Sequence, residues 1–353
     1  MNLLEQKLAN YFEKKYCLTT GSGTTGMYLV FKSFKKKSKI LYPAITCIQA
    51  VNAAIFAGQK VIFSDVSLNN YTMDFNSFKK SVTEDTVAVV PTHTFGNICE
   101  IKKIIKFCRK KKVFVFEDAT QAMGAKIGEK KIGSFGDASV ISFGYSKIID
   151  CGSGGCILTD SKKLYENLKK NYKTIRKKPK NHKKILKEYK EKYYEIYDNK
   201  QSNEDFTKKI LKIQSRYKKI FIHKIDKYTE NRILKKIKKI SVIIKKRNSN
   251  HDLYRKKLKN INLPRKNKNF VSWRFVGLVN AEKRNFIINN LRKKNINVST
   301  WYPSLHYIND KGKLTYRNAI KIEKEIINFW TEQSISKKII IKNIKIINKI
   351  LWN

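Results

Sequence analysis

The sequence predicts an α/β fold built on a mostly parallel sheet, because short apolar runs alternate with helical segments over most of the first 160 residues. Such runs are typical of buried strands, and the helical segments between them are about ten residues long. This alternation is typical of βαβ units, in which helices cover both faces of parallel strands. In sheets of this kind, ligands bind beyond the carboxyl ends of the strands.

The elements follow one another in a regular order. We predict a helix at 3–14, a glycine turn at 21–26 that opens a second helix, an extended run at 40–43, a helix at 48–56, a strand at 61–63, a helix at 75–82, a strand at 87–90, a helix at 101–110, and strands at 113–116, 138–143 and 156–158. Each strand therefore has a helical or turn segment beside it that can cover a face of the sheet.

The remaining chain divides into two parts. Residues 161–246 are charged and helical, with lysine densest at 161–222 and no clean heptad that would indicate a coiled coil. A smaller α/β unit follows, with a strand at 270–277, a helix at 281–293 and an extended run at 296–298. We therefore expect a large domain over 1–235, which includes the 161–222 segment, and a small C-terminal α/β domain over 236–353.

Lys147 and Asp118 point to a cofactor. Lys147 follows the strand at 138–143 and precedes the glycine-rich turn 152–155. Asp118 lies two residues after the strand at 113–116. Enzymes that use pyridoxal phosphate (PLP) hold it in this way: a loop lysine forms a Schiff base, and a carboxylate keeps the pyridine nitrogen protonated. The pair therefore predicts a PLP site, although either residue alone would carry little information.

Hydroxyl groups near the predicted site could bind the phosphate of the cofactor. The turn at 21–26 precedes a helix, and backbone N–H groups at a helix N-terminus bind anions well. Ser142 lies five residues before Lys147 and could add a hydroxyl from the other side. Helix capping and ordinary turn formation remain alternative explanations for each hydroxyl.

The charge of the chain is extreme, with 76 Lys and Arg residues against 28 Asp and Glu residues and a formal net charge of +48. Such a charge first suggests nucleic acid or an anionic membrane as a partner. However, the excess is mostly lysine and accompanies Ile, Asn, Tyr and Phe, all residues with AT-rich codons. Genome composition therefore explains the charge, and we expect no specific nucleic-acid partner, with a polyanion-binding surface as the alternative.

Other classes of protein are disfavoured by what the sequence lacks. The six cysteines form no Cys-x-x-Cys pair and no Cys/His cluster at zinc spacing, so we expect no metal site. The N-terminus lacks the pattern of a signal peptide, and no apolar run approaches the ~18 residues of a membrane span. We therefore expect a soluble, cytoplasmic protein.

Six short motifs together resemble one protein family. They are, in chain order, 22–27 (SGTTGM), 43–46 (PAIT), 63–66 (FSDV), 93–96 (HTFG), 117–122 (EDATQA) and 142–147 (SFGYSK). Their sequence and order resemble those of the DegT–DnrJ–StrS family of PLP-dependent sugar aminotransferases. The resemblance is dense over about residues 15–160 and returns thinly at 301–306 (WYPSLH).

The resemblance implies a fold and a function. It implies the fold-type-I architecture, with a seven-stranded, mostly parallel sheet sandwiched by helices, and a homodimer with active sites at the subunit interface. It also implies transfer of an amino group from an amino acid, glutamate in our expectation, to a keto sugar linked to a nucleotide. Such enzymes serve the synthesis of surface polysaccharides or amino sugars.

The resemblance also implies roles for individual residues. Lys147 would hold PLP and move the proton, Asp118 would pair with the pyridine nitrogen, and Gln121 would lie beside the ring. Hydroxyls of Thr24, Thr25 and Ser142 would hold the phosphate, and Tyr302 and His306 would lie close to the substrate. A related branch of the family has histidine in place of this lysine and performs dehydration, so Lys147 favours transamination.

Three departures from the family pattern matter. Cys47 stands where relatives have an aromatic residue that stacks on the pyridine ring, and a thiol gives contact without stacking. Ser153 replaces a glutamate in the turn 152–155. The segment that supplies Asn and Arg from the neighbouring subunit is not recognisable, with Asn231 and Arg232 as candidates in a different context.

The alternatives to an aminotransferase are a PLP enzyme of different chemistry, such as a dehydratase, and a degenerate homologue that acts as a binding subunit. Cys47 and Ser153 favour the degenerate homologue mildly. The retained Lys147, Asp118 and Gln121 oppose it more strongly. The sugar, its aminated carbon and its nucleotide are not indicated by the sequence.

Overall fold

A computed structural model of the chain describes residues 1–199, 201–308 and 316–352. Its strands are β1 (Tyr16–Thr20), β2 (Lys39–Pro43), β3 (Lys60–Ser64), β4 (Thr86–Val89), β5 (Phe114–Asp118), β6 (Lys126–Ile127), β7 (Lys130–Lys131), β8 (Ala138–Ser142), β9 (Gly155–Thr159), β10 (Arg274–Leu278), β11 (Val298–Ser299) and β12 (Ile326–Trp330).

The helices lie between and after these strands. They are α1 (Leu3–Phe12), α2 (Gly23–Phe31), α3 (Ile48–Phe56), α4 (Phe75–Ser81), α5 (Ile101–Lys111), α6 (Lys162–Lys173), α7 (His182–Asp198), α8 (Asn203–Arg216), α9 (Lys218–Phe221), α10 (Lys227–Ile237), α11 (Ile240–Lys257), α12 (Ala281–Lys293), α13 (Arg317–Glu325) and α14 (Lys337–Trp352).

The large sheet has seven strands in the order β1-β9-β8-β5-β4-β2-β3. Strand β9 runs antiparallel to both of its neighbours, whereas every other neighbouring pair is parallel. The prediction of a mostly parallel, seven-stranded sheet flanked by helices is therefore confirmed. Because β5 lies next to β8 in parallel, their carboxyl ends, Asp118 and Ser142, reach the same edge of the sheet.

Buried positions follow the pattern expected for strands covered on both faces. Each residue of β9 is buried, as are four of the five in β5 and in β8. Strands of this kind read as nearly continuous apolar runs rather than as an alternation of apolar and polar residues. The apolar runs that predicted these strands therefore reflect burial by helices on both sides.

The second sheet is smaller and antiparallel, in the order β10-β12-β11. Helices α11, α12 and α14 pack beside it, and the side chains of this part form a separate buried cluster that runs from Tyr254 to Ile347. The sequence predicted β10 and α12 but not β12, α13 or α14. The domain boundary at 235/236 stays a prediction.

The predicted strand at 270–277 begins too early. The strand starts at Arg274, and the preceding residues pack as an irregular segment instead. The side chain of Asn248 holds this segment, accepting from the Ser272 amide at 2.9 Å and donating to the Phe270 carbonyl at 3.0 Å. Apolar composition alone could not reveal that these residues pair with a helix side chain rather than with a strand.

The lysine-rich segment 161–222 forms α6 to α9, as predicted, with short turns between the helices. Its inner faces are aromatic and aliphatic, with Ile185, Tyr189 and Ile220 buried in one cluster. The lysines lie mostly on the outer faces. For example, the side chain of Lys187 is 80% exposed and that of Lys208 is 65% exposed. This segment lies over the carboxyl edge of the large sheet, where it lines a cavity next to α3.

Candidate active site

Lys147 and Asp118 meet at the carboxyl edge of the large sheet. Asp118 is the last residue of β5 and is 2% exposed, and its Oδ1 accepts from the Thr120 amide at 3.0 Å. Lys147 lies in the irregular segment after β8, with its Nζ 3.3 Å from the Thr120 hydroxyl. The two groups also influence each other electrostatically, so the structure brings the predicted pair into one cleft.

Burial moves the pKa of both groups away from the ordinary values. Removal from water lowers the pKa of the Lys147 ammonium, and Cys47 and Asp118 oppose this only in part. The same burial raises the pKa of Asp118, although Lys147 and the Thr120 amide act in the opposite direction. A larger share of Lys147 is therefore neutral near pH 7, which is the form that attacks a carbonyl carbon.

Gln121 links this cleft to the small domain. Its Oε1 accepts from the Phe95 amide at 2.8 Å, and its Nε2 donates to the Tyr302 hydroxyl at 3.2 Å. The Tyr302 ring stacks on Phe95 and on Trp273, with ring centroids 5.7 and 6.2 Å apart. Gln121 and Tyr302, which were predicted as site residues, are therefore in contact with each other.

A buried hydrogen bond between His93 and Glu117 supports the strand end that carries Asp118. Glu117 and His93 are both fully buried, and the carboxylate lies 3.2 Å from His93 Nε2. Glu117 also accepts from the amides of Gly133, Phe135 and Gly136. Removing one partner of a buried pair typically costs about 3–5 kcal/mol of stability. Glu117 thus fixes the backbone directly before Asp118.

The hydrogen bonds of His93 fix its tautomer, because Nδ1 accepts from the Cys99 amide and Nε2 therefore donates to Glu117. Burial acts to lower the pKa of His93, whereas the Glu117 carboxylate acts to raise it. Burial would raise the pKa of Glu117, but His93 and the amides hold it below its ordinary value. Both ring nitrogens of His93 are thus engaged, by Glu117 and by the Cys99 amide.

The N-terminus of α2 faces Ser142 across a narrow gap. A Cβ atom on Gly23 would lie 3.2 Å from the Ser142 Cβ, so a side chain at position 23 would crowd the gap. The Ser142 hydroxyl accepts from the Gly144 amide at 3.3 Å. Thr24 follows Gly23 in the first turn of α2 and is half-buried. Gly23, Thr24 and Ser142 thus form an edge at which helix amides can bind an anion.

Thr25 lies in a different environment. It is fully buried, and its Oγ1 donates to the Phe221 carbonyl at 3.0 Å and accepts from the His223 amide at 3.1 Å. The Ser22 hydroxyl also donates to the Phe221 carbonyl, and the Gly21 amide donates to the His223 carbonyl. Residues 221–223 of the chain thus engage these hydroxyls, and the phosphate role of Thr25 stays a prediction.

Cys47 borders an aromatic cavity of about 260 Å³. It caps the N-terminus of α3 without a side-chain capping bond, and its thiol donates to Gln49 Oε1 at 2.7 Å. Burial raises the pKa of Cys47, and the charge of Lys147 acts against this shift. The aromatic side chains that line the cavity include Tyr189, Tyr193, Tyr194, Phe206, Trp301 and Tyr302.

His306 lies at the outer end of the same loop as Tyr302. Its Nδ1 is 2.7 Å from the Ser304 hydroxyl, and its ring stacks on Tyr316 at a centroid distance of 4.6 Å. The loop is fixed to the large domain, since the Leu305 amide donates to the Ala44 carbonyl at 2.8 Å. His306 is only 8% exposed. It is therefore placed to support the loop, and its predicted contact with a substrate stays a prediction.

The residues present fit PLP. A half-buried amine lies beside a buried carboxylate, and a helix N-terminus with a glycine in its first turn faces the hydroxyl of Ser142. Lys147 would hold the cofactor covalently, Asp118 would pair with its ring nitrogen, and Thr24 and Ser142 would hold its phosphate. When bound, PLP withdraws electrons from the carbon that carries the amino group.

Three side chains near this cleft were not identified from the sequence. Thr120 contacts both Lys147 and Asp118, and the motif 117–122 contains it, so its position two residues after the aspartate was an available signal. Trp273 and Arg274 come from the small domain, with the Lys147 Nζ 5.9 Å from the centre of the Trp273 ring. Nothing in the local sequence marked these two residues.

The described residues contain neither a candidate metal site nor a candidate membrane-spanning helix. Among residues 1–199, 201–308 and 316–352, no group of three or more His, Cys, Asp or Glu side chains could hold a metal ion. Within the same ranges, every helix is too short or too polar to cross a membrane. The cytoplasmic location and the lack of a nucleic-acid partner stay predictions.

A family model matches almost the whole chain. The model of the DegT/DnrJ/EryC1/StrS aminotransferase family matches residues 1–347. This match extends well beyond the region of 15–160 in which the motifs are dense. It therefore includes the lysine-rich helices and the segment that carries the second sheet.

Individual relatives are similar over less than half of their length. GDP-perosamine synthase of Escherichia coli O157:H7 is 30% identical over 164 residues, which are 46% of this chain and 45% of that enzyme. GDP-4-keto-6-deoxy-D-mannose 3-dehydratase of Yersinia pseudotuberculosis is 28% identical over 172 residues, or 46% of this chain and 44% of that enzyme. By their names, these relatives thus include a synthase and a dehydratase.

A solved structure resembles the whole fold. The aminotransferase PseC of Helicobacter pylori, which is involved in the biosynthesis of pseudoaminic acid, superposes with a TM-score of 0.80. The superposition covers 99% of this chain and 90% of that chain, at 18% sequence identity. At this identity the likeness shows the fold, and the fold-type-I prediction is confirmed.

Cys47 generates a prediction about cofactor affinity. We expect Cys47→Phe to tighten PLP binding several-fold, because ring contacts contribute about 0.5–1.5 kcal/mol and 1.4 kcal/mol is a factor of about ten. The cavity of about 260 Å³ beside the thiol leaves room for a ring. PLP affinity and melting temperature are measured together, with Cys47→Ser as the control that removes the thiol without adding a ring.

A different result is expected if Cys47 does not occupy the ring-stacking position. If Cys47 only caps α3, the larger ring overpacks the site and lowers stability by about 1–3 kcal/mol. Unchanged or weaker PLP binding together with a lower melting temperature would rule out a ring-stacking position for residue 47.

Proposed function

The chain belongs to the DegT/DnrJ/EryC1/StrS aminotransferase family, and we propose that it transfers an amino group from an amino acid to a keto sugar linked to a nucleotide. The family is PLP-dependent. Glutamate is the donor we expect, and the product would serve the synthesis of a surface polysaccharide or an amino sugar. The proposal agrees with the names of relatives such as GDP-perosamine synthase.

One observation carries the proposal: the amine of Lys147 and the carboxylate of Asp118 share one buried cleft, with Thr120 bound to both. A surface lysine would be fully protonated near pH 7 and would not act as a nucleophile or base. Burial lowers the pKa of Lys147 towards the range in which an amine both attacks a carbonyl and carries a proton. An ion pair with a purely structural role could lie anywhere in the fold, whereas this pair lies at the carboxyl ends of the strands, where sheets of this kind bind ligands.

Each residue of the cleft has a distinct part in the proposed reaction. Lys147 would hold the cofactor and would give a proton to, or take one from, the substrate carbon. Asp118 would pair with the ring nitrogen of the cofactor, and Thr120 would orient both side chains. Gln121 and Tyr302 close the cleft on the side of the small domain, which limits the entry of water.

Dehydration is the alternative within the family, since a relative with that activity is similar over 172 residues. Lys147 favours transamination, because the branch that dehydrates has histidine at this place and this chain has lysine. A non-catalytic binding subunit is disfavoured for a physical reason. A protein without chemistry would gain nothing from keeping a desolvated amine beside a desolvated carboxylate, since both are expensive to bury.

The aromatic cavity beside Cys47 supports a nucleotide-linked sugar as the acceptor. It opens next to the cleft and is lined by tyrosine and tryptophan rings, on which sugars and bases pack well. Lys190 borders the same cavity and could meet the negative charge of a diphosphate. The net charge of +48 would also speed the approach of an anionic substrate.

We also infer a homodimer with shared active sites. Large apolar side chains are exposed on neighbouring helices, with Leu3 58%, Tyr228 71% and Val242 71% exposed on α1, α10 and α11. A hydrogen bond of 3.0 Å from Asn2, which caps α1, to Glu230 joins helices α1 and α10. Light scattering that gives the mass of one chain while PLP is bound would contradict the dimer.

The proposed function predicts a defined activity and its loss. Protein loaded with PLP should release 2-oxoglutarate from glutamate only when a suitable keto sugar, drawn from a panel of nucleotide-linked keto sugars, is present. Asp118→Asn should lower the rate on the order of 100-fold or more, because the ring nitrogen loses its charged partner. Asp85→Asn, at a surface aspartate 63% exposed, is the matched control.

Two outcomes would contradict the proposal. Near-normal rates in Asp118→Asn would make this carboxylate structural. Consumption of a keto sugar without release of 2-oxoglutarate, and with loss of water from the sugar, would show dehydration instead.

A further inference from the structure

The loop between β8 and β9 carries Lys147, and its backbone has an uncommon conformation directly before that residue. Ser146 has a φ of 61°, in the left-handed region that residues other than glycine rarely adopt. The loop would leave this conformation unless contacts of the folded chain held it. Because the direction of the Lys147 side chain follows from the backbone beside it, the contacts that hold Ser146 also set where the amine lies.

Asp150 closes this loop with its carboxylate. Its Oδ2 accepts from the Ser146 amide at 2.9 Å, and its Oδ1 accepts from the Gly152 amide at 2.8 Å. The two amides lie on either side of Lys147 in the chain. Hydrogen bonds to a carboxylate are stronger than those between neutral groups. The Asp150 side chain thus ties both ends of the segment 146–152 together.

The carbonyl group of Ser146 is held by side chains from the part of the chain that carries the second sheet. It accepts from the Trp273 indole at 2.7 Å and from Arg247 Nη2 at 3.5 Å, the latter at the limit of a hydrogen bond. Asp150 binds the amide of the same residue. Both backbone polar groups of Ser146 are therefore fixed by side chains.

Asp150 is in turn fixed by groups outside the segment that it holds. Its neighbour Cys151 is 3% exposed and Ile149 is fully buried, and both belong to the main apolar cluster of the large sheet. The Lys236 ammonium of α10 donates to the Asp150 carbonyl. The charge of Asp150 also attracts the buried Arg247 guanidinium. Asp150 is therefore an anchor for the loop and does not simply follow its movement.

The contacts of Asp150 indicate that it reaches the Lys147 amine through the backbone. Apart from burial, the groups that shift the pKa of this amine are Cys47, Asp118 and Arg274. The two oxygens of Asp150, by contrast, are bound to backbone amides. Removing the Asp150 carboxylate should therefore change the position of the amine and not the charges around it.

Ser153 in the same loop cannot take this part. Its hydroxyl lies 3.2 Å from the Thr229 hydroxyl and 3.4 Å from the Lys178 Nζ, so it faces α10 and the segment after α6. Asp150 is the one acidic residue among residues 143–154 of the sequence. The restraint on Ser146 from within the loop thus depends on this single side chain.

We propose that Asp150 is a positioning residue for Lys147. By holding Ser146 in the left-handed region, its carboxylate keeps the Lys147 amine beside Thr120, where the Nζ lies 3.3 Å from the hydroxyl. The amine is thereby held next to Asp118, in the cleft that fits PLP. This rests on the proposed function in one respect, namely that Lys147 is the residue that holds PLP.

The first test measures the amine without cofactor or substrate. The rate at which N-hydroxysuccinimidyl acetate acetylates Lys147 is followed by peptide mass spectrometry as a function of pH. Burial lowers the pKa of this amine, so an amine that has left its buried position should react only at higher pH. We expect Asp150→Ala to move the midpoint upward by about 1 pH unit. The midpoint is compared rather than the maximal rate, which also depends on exposure.

The second test uses the conformation of Ser146. We expect Asp150→Ala to weaken PLP binding about tenfold, since two strong hydrogen bonds of the loop are lost. Asp150→Asn, whose amide oxygen can replace only one of the two carboxylate oxygens, should lie between Asp150→Ala and the wild type. Glycine adopts a positive φ without steric cost, so in chains that carry Ser146→Gly the change Asp150→Ala should weaken binding at most about threefold.

Asp160→Ala is the matched control. Asp160 also accepts from a backbone amide, that of Lys15 at 2.9 Å, and pairs with Lys14. It follows β9, which runs antiparallel to β8, and therefore lies at the edge of the large sheet opposite the cleft. A loss of stability alone should appear in Asp160→Ala with no change in the acetylation midpoint or in PLP affinity.

Two results would overturn the positioning role. One is an unchanged acetylation midpoint in Asp150→Ala or, if that variant does not fold, in Asp150→Asn. The other is an equal loss of PLP affinity on Asp150→Ala with and without Ser146→Gly. Acetylation needs neither PLP nor turnover, so a shifted midpoint in a protein without aminotransferase activity would disprove the proposed function and leave the positioning role. An unchanged midpoint in an active enzyme would remove the positioning role alone.

Discussion

An amine and a carboxylate share one buried cleft, and much of the surrounding structure serves to keep them there. Desolvation lowers the pKa of Lys147 and raises that of Asp118, while their mutual attraction acts against both shifts. The balance leaves an amine that is easier to deprotonate beside an acid that is harder to ionise. Such a balance depends on exclusion of water, and Gln121, Tyr302 and the helices α7 and α8 provide it.

The architecture explains how these groups meet. Strands β5 and β8 are neighbours in the sheet although nineteen residues, 119–137, separate them, so Asp118 and the segment after Ser142 emerge side by side. Glu117 fixes the strand end by holding three backbone amides and His93. The small domain then supplies rings and charges that the large sheet lacks. The proposed roles would thus be divided, with the groups that would hold the cofactor at the edge of the large sheet and the groups that would select substrates on the loops and beside the second sheet.

Sequence patterns predicted the parts of the site that depend on local order. Lys147, Asp118 and Gln121 follow strand ends, and strand ends can be read from apolar runs. By contrast, Arg247 and Arg274 are two basic residues among 76 and are distinguished only by burial, which depends on packing between distant segments. The engagement of Thr25 by residues 221–223 was hidden for the same reason, because about 200 residues separate the partners. The strand predicted at 270–277 began too early because side-chain bonds from Asn248 replace strand pairing.

The most direct test of this chemistry is to locate the lysine that holds the cofactor. Protein loaded with PLP is reduced with borohydride, digested and mapped by mass spectrometry. We predict that the added mass lies on the peptide that contains Lys147 and that Lys147→Ala abolishes the label. Lys190 is the sharpest internal comparison, because it borders the aromatic cavity next to the same cleft. A label on Lys190 or on any other lysine, with Lys147 unmodified, would contradict the assignment of the active site.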